Sequence, residues 1–66
     1  MDKDKIAKRL IALRGEKSQA EVAAALGISP SAYSMYENGE RIPRDEIKKR
    51  IADYYKRSVT TIFFAD

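Results

Sequence analysis

SQAEVAAALGISPSAYSMYENG, residues 18–39, is the stretch on which the reading of this chain turns. Ser18 and Glu21 have the spacing of a capping box: the serine hydroxyl can accept from the Glu21 amide, and the carboxylate can reach back to the Ser18 amide. A helix begun there buries Val22, Ala23 and Leu26 at helical spacing. It stops at Gly27, the residue best suited to a left-handed helix exit. Ser29 then caps another helix, and Pro30 takes its first position, where a missing N–H costs nothing. Ile28 and Tyr33 have the spacing of a hydrophobic staple around that cap, and Asn38-Gly39 ends the helix. Two short helices joined by Leu26-Gly27-Ile28-Ser29, with small residues Ala23 and Ala24 where they cross, make a helix-turn-helix over about residues 18–38.

On the N-terminal side, Ile6, Leu10 and Leu13 give one apolar face to a helix from roughly Lys3 to Arg14. Gly15 ends it, and Ile11 points off the face. On the C-terminal side, Ile42-Pro43 is an extended connection, because a residue before proline avoids helical angles. Asp45 and Glu46 suit the positive end of a fourth helix. Ile47, Ile51, Tyr54 and Tyr55 would line its inner side, with Lys48, Lys49, Arg50 and Asp53 facing away. Ser58 caps a last turn with Val59, Ile62 and Phe63, although the final few residues also look strand-like. The expectation is an all-α fold: five short helices in one compact bundle, a single domain over residues 1–66.

Composition narrows the chemistry. The chain has 66 residues with no cysteine and no histidine, which removes disulfides, thiolate chemistry and the commonest zinc sites. No cofactor, metal or small-molecule ligand is expected. No two acids look convergent in an apolar setting, so no enzyme is expected either. Apolar runs are too short for a membrane span, and MDKDKIAKRL lacks the apolar centre of a signal peptide, so a cytoplasmic location is expected. Net charge is +3, unevenly spread. Lys3, Lys5, Lys8, Arg9, Arg14 and Lys17 precede the central motif, and Arg41, Arg44, Lys48, Lys49, Arg50, Lys56 and Arg57 follow it. Ser18 to Glu40 holds no base and carries Glu21, Glu37 and Glu40. Two positive flanks around a slightly negative middle favour a polyanion, although solvated helix faces account for many of these charges.

The ordered set Ser18-Gln19-x-Glu21-Val22-Ala23, Leu26-Gly27-Ile28-Ser29, Tyr33-Ser34-x-Tyr36-Glu37-Asn38-Gly39 and Pro43 resembles the phage-repressor-like, or xenobiotic-response-element, family of bacterial regulators. The resemblance runs from Leu10 to Phe63. It implies the lambda-repressor-like DNA-binding bundle and a transcriptional regulator that binds double-stranded DNA in a sequence-specific way. It also implies that Gln19 and Asn38 touch phosphates, and that Glu37 forms a buried pair with the arginine closing the first helix, Arg14 here. Breaking a buried pair costs several kcal/mol, whereas a surface pair would contribute under roughly 1 kcal/mol. The chain departs from the family in three places. The spacing between Arg14 and Gln19 is short, Lys56-Arg57 replaces a glycine and an aliphatic residue, and Asp45 and Lys48 stand at commonly apolar positions.

In a helix-turn-helix the second helix enters the major groove and presents its N-terminal residues to base edges. Its exposed positions here should be Ser29, Pro30, Ser31, Ser34 and Met35, with Tyr33 pointing inward. None of these makes the bidentate bonds that select guanine or adenine. Serine hydroxyls, apolar contact with thymine methyls, water bridges and DNA shape remain as the means of reading. Arg41 and Arg44, with Lys17 on the other side, would supply the phosphate contacts. One such helix covers few base pairs, so a dimeric repressor on a palindromic operator is expected. Residues 58–66 are the candidate dimerisation segment, with Val59, Ile62, Phe63 and Phe64 as interface candidates. Ile62 and Val59 are expected to contribute to the core, Phe64 to pack across the twofold axis, and Ile62-Phe63-Phe64 to offer a short strand to a symmetry mate. An alternative is an antitoxin or accessory adaptor whose main partner is another protein.

Overall fold

The computed structural model describes residues 1–65; Asp66, the last residue of the candidate dimerisation segment, lies outside the described residues. The elements are α1 (Lys3–Arg14), α2 (Gln19–Leu26), α3 (Pro30–Glu37), α4 (Asp45–Tyr55) and α5, a single π-helical turn (Thr60–Phe64). No strand occurs among the described residues, and no helix among them is long and apolar enough to cross a membrane.

Local chemistry explains each boundary. The Asp2 carboxylate accepts from the amides of Asp4 and Lys5 at 2.9 and 3.2 Å and starts α1. Ser18 Oγ accepts from the Glu21 amide at 3.0 Å, and Ser29 Oγ accepts from the Ala32 amide at 3.1 Å. Only the serine half of the expected capping box is seen among the described residues. Helices α2, α3 and α4 all close by the same pair of backbone hydrogen bonds. At the end of α2, for example, the Ile28 amide donates to the Ala23 carbonyl at 3.0 Å while Gly27 donates to Ala24 at 3.2 Å. This closure requires a left-handed residue. Gly27 and Gly39 supply it for α2 and α3, but α4 uses Lys56, the only non-glycine with positive φ (57°) among the described residues.

Ile6 and Leu10 of α1, Val22, Ala23 and Leu26 of α2, Tyr33 of α3, Ile47 and Ile51 of α4, and Ile62 and Phe63 of α5 meet in one core. Ile11 is exposed as expected, and Ala23 is buried, but Ala24 faces solvent and takes no part in the helix crossing.

Two expectations are corrected and one is extended. Lys48 does not face away: it is only 7 % exposed, with its ammonium 3.2 Å from Asp45 Oδ1 and 5.4 Å from the centre of the Phe64 ring. Arg50, though exposed, reaches back to donate to the Leu26 carbonyl at 3.2 Å and so satisfies one of the open carbonyls of α2. The tail is helical rather than strand-like. Adjacent side chains on a strand point to opposite faces, yet neighbours Ile62 and Phe63 are both 1 % exposed. Ser58 Oγ accepts from the Thr61 amide at 3.0 Å to start the turn. Arg9 fastens its far end, donating to the carbonyls of Ile62 (2.8 Å) and Ala65. Burial also removes Ile62 and Phe63 from the set of interface candidates.

Candidate nucleic-acid interface

Helix α3 has two faces. Tyr33, Tyr36 and Glu37 turn inward, and Ser29, Pro30, Ser31 and Met35 turn outward, Met35 being 40 % exposed. Ser34 is half-buried at the boundary, where its hydroxyl accepts from Asn38 Nδ2 at 3.3 Å. The Ser29 cap takes up the Ala32 amide, so the Ser31 amide is the first-turn donor of α3 left without a helical partner. At the start of α2 the amides of Gln19 and Ala20 stand in the same position. Such ends favour anions through their free N–H groups and the positive end of the helix dipole.

The buried face of α3 is anchored through Glu37. Arg14 grips its carboxylate with two bonds, Nε to Oε2 at 2.8 Å and Nη2 to Oε1 at 3.0 Å. Gln19 Nε2 donates to the same Oε1 at 2.9 Å. The remaining guanidinium nitrogen, Nη1, donates to the Lys17 carbonyl at 2.7 Å, tying down the short loop before α2. Burial alone would raise the Glu37 pKa, but the donors Arg14, Gln19 and Tyr33 outweigh it and hold the carboxyl below its ordinary value. The bond to Glu37 in turn raises the Arg14 pKa. One ion pair therefore joins the end of α1, the start of α2 and the end of α3.

This network changes the picture of Gln19. The resemblance assigns it to a phosphate, and the structure shows the first residue of α2 with its side-chain amide held by Glu37. One amide hydrogen is thereby committed, and the side chain is fixed in place rather than free to search. Lys17 is likewise occupied. Its ammonium donates to the Tyr54 hydroxyl at 3.1 Å and lies 4.8 Å from the centre of that ring, which turns it toward α4. Asn38 is exposed, with Nδ2 between Ser34 and Glu40. Arg41 and Arg44 are exposed in the loop between α3 and α4, and neither enters an ion pair among the described residues. At the other end of the molecule, Phe64 is 55 % exposed and Val59 is half-buried against the core.

Sequence reasoning missed four of these contacts: Gln19 to Glu37, Lys17 to Tyr54, Arg9 to the α5 carbonyls, and the bond between the Tyr33 and Tyr55 hydroxyls at 2.9 Å. A signal was available for the last. A tyrosine predicted to point into the core needs a partner for its hydroxyl, and Tyr55 was predicted to line the same interior.

The helix-turn-helix family model matches residues 6–62, from the first core side chain of α1 to the middle of α5. Among solved structures, the solution structure of the SOS-response transcriptional repressor LexA from Eubacterium rectale is similar, with a TM-score of 0.87 and 27 % identity, covering 92 % of this chain and 67 % of that one. No curated protein sequence matches this chain. With the capped helix pair, its glycine turn and the inward-facing Glu37 already seen in the geometry, the chain belongs to the phage-repressor-like, xenobiotic-response-element type of helix-turn-helix family of DNA-binding transcription regulators.

Proposed function

We propose that this chain is a sequence-specific double-stranded DNA binder acting as a small dimeric repressor, with α3 in the major groove of each half of a palindromic operator. The observation that carries the reading is the division of α3. Its outward face is open at Ser29, Pro30, Ser31 and Met35, while its inner face is fixed to the rest of the fold through Tyr33 and Glu37. A reading helix must be rigid on one side and free on the other. Its own charge is not required, because Arg41 and Arg44 stand beside it and the open amides of α2 and α3 add attraction for phosphate. The similar repressor from Eubacterium rectale supports the regulatory role.

The size of the chain supports a pair of copies. The molecule is 27 Å in its longest dimension, short of the roughly 34 Å between successive major-groove faces. Phe64, 55 % exposed, is the side chain best placed to pack across a twofold axis, and Val59, half-buried against the core, is the second candidate.

Selection of bound duplexes from a random pool, with footprinting of the winners, tests this. The expected result is two inverted half-sites about one DNA turn apart, protected by two protomers. Failure to enrich any sequence would refute it. A second reading, an antitoxin or adaptor for another protein, has one observation in its favour: an apolar groove of about 290 Å³ lined by Ala12, Leu13, Ile62 and Thr61 between Arg9 and Arg57.

A further inference from the structure

We infer that Tyr55 is a positioning residue for DNA reading: its hydroxyl, bonded to that of Tyr33, sets the direction in which the outward face of α3 points. The inference rests on the proposed role of α3 and adds a residue that touches no DNA.

Helix α3 packs broadly on α1 and α2 but has no comparable helix-to-helix contact with α4. Toward α4 its specific link is the Tyr33–Tyr55 hydroxyl pair at 2.9 Å. Tyr33 lies in the middle of the reading helix, between Ser31 and Met35 in sequence, and is fully buried. The type of link matters. Apolar packing is non-directional and tolerates rotation of a short helix about its axis, whereas a hydrogen bond weakens steeply with angle; the Glu37 bonds hold the end of α3 in this way, and the Tyr33–Tyr55 bond holds its middle. A roll of α3 by ~20° would move a side-chain tip at ~5 Å radius by ~2 Å, beyond what a base-edge hydrogen bond tolerates. Tyr55 is itself braced. The Tyr54 ring meets it edge-to-face with centroids 5.0 Å apart, and Lys17 donates to the Tyr54 hydroxyl. The loop before α2 and the reading helix are thus both referred to the end of α4.

The test compares the wild type with Tyr55→Phe, Tyr33→Phe and the double variant. Each is titrated by fluorescence anisotropy with the best duplex from the random-pool selection and with an unrelated duplex of equal length. Measurements are made at a temperature where circular dichroism shows the protein folded. Tyr55→Phe should lower the preference for the selected duplex about tenfold, the scale of one lost base contact, and leave affinity for the unrelated duplex within about twofold. The losses of the two single variants should not add in the double variant, because the two hydroxyls share one link. If Tyr55→Phe does not fold because it strands a buried hydroxyl, the double variant, which removes both polar groups, carries the test. Equal loss on both duplexes, or an unchanged preference in the folded double variant, overturns the role of Tyr55 alone. A wild-type chain with no sequence preference overturns the reading of α3, and this inference with it.

Discussion

Replacing Glu37 by glutamine keeps the shape of the side chain and removes its charge. The carboxylate receives three bonds, two from Arg14 and one from Gln19, and its side chain is 2 % exposed. A glutamine offers one acceptor oxygen and turns an NH₂ group toward donors, so at least one of the three bonds becomes a donor–donor clash. Hydrogen bonds to charged groups contribute about 1.5–3 kcal/mol each, and breaking a buried pair costs about 3–5 kcal/mol. Arg14 keeps some contact with water, which places Glu37→Gln near the lower end, at about 3 kcal/mol. The total stability of a chain this size is about 3–10 kcal/mol, so the variant should melt roughly 12 °C or more below the wild type. Urea unfolding followed by circular dichroism measures the loss directly. A second readout separates the ion pair from packing. The folded pKa of Glu37 lies below its ordinary value of 4.5. Its contribution is therefore fully present above that value and is lost as pH falls through the lower folded value. The wild type should lose stability over that acidic window by more than Glu37→Gln does. A loss below about 1 kcal/mol, the range of a surface pair, together with parallel acid profiles, would refute the buried-anchor reasoning.

Three other outcomes are expected. Lys56→Gly should stabilise the protein by about 0.5–1 kcal/mol, because relief of the left-handed strain exceeds the added freedom of the unfolded chain; thermal unfolding checks it. Arg41→Ala and Arg44→Ala should each reduce the log–log slope of DNA affinity against salt by about 0.9 if each neutralises one phosphate, read from titrations at several salt concentrations. Met35→Ala should relax preference at one base step by about 1–2 kcal/mol without changing that salt slope; repeating the random-pool selection with the variant shows it.

Local chemistry alone places the helices along the chain. Ser18, Ser29 and Ser58 each cap a helix start, and Gly15, Gly27 and Gly39 each stand at an exit with positive φ. These are contacts within a few residues, and a sequence displays such neighbours directly. The outward positions of Ser29, Pro30, Ser31 and Met35 were equally legible, because helical periodicity separates Met35 from Tyr33 and Tyr36, although Ser34, expected with them, is half-buried.

The tertiary fold decided which long side chains act at a distance. Arg9, Lys17 and Arg50 read as basic surface, yet each directs a donor back to the fold, to the α5 carbonyls, to Tyr54 and to the Leu26 carbonyl. Lys48 reads as solvated and is buried beside Phe64, while Phe63, offered as an interface residue, is core. The physical reason is reach. A lysine or arginine has a long flexible stem with a charged tip, so its partner is set by whichever backbone carbonyl, ring or carboxylate the packing brings near, and a one-dimensional pattern does not record that. Caps and periodicity fixed where the helices lie; packing alone determined which cations remain free to meet a phosphate.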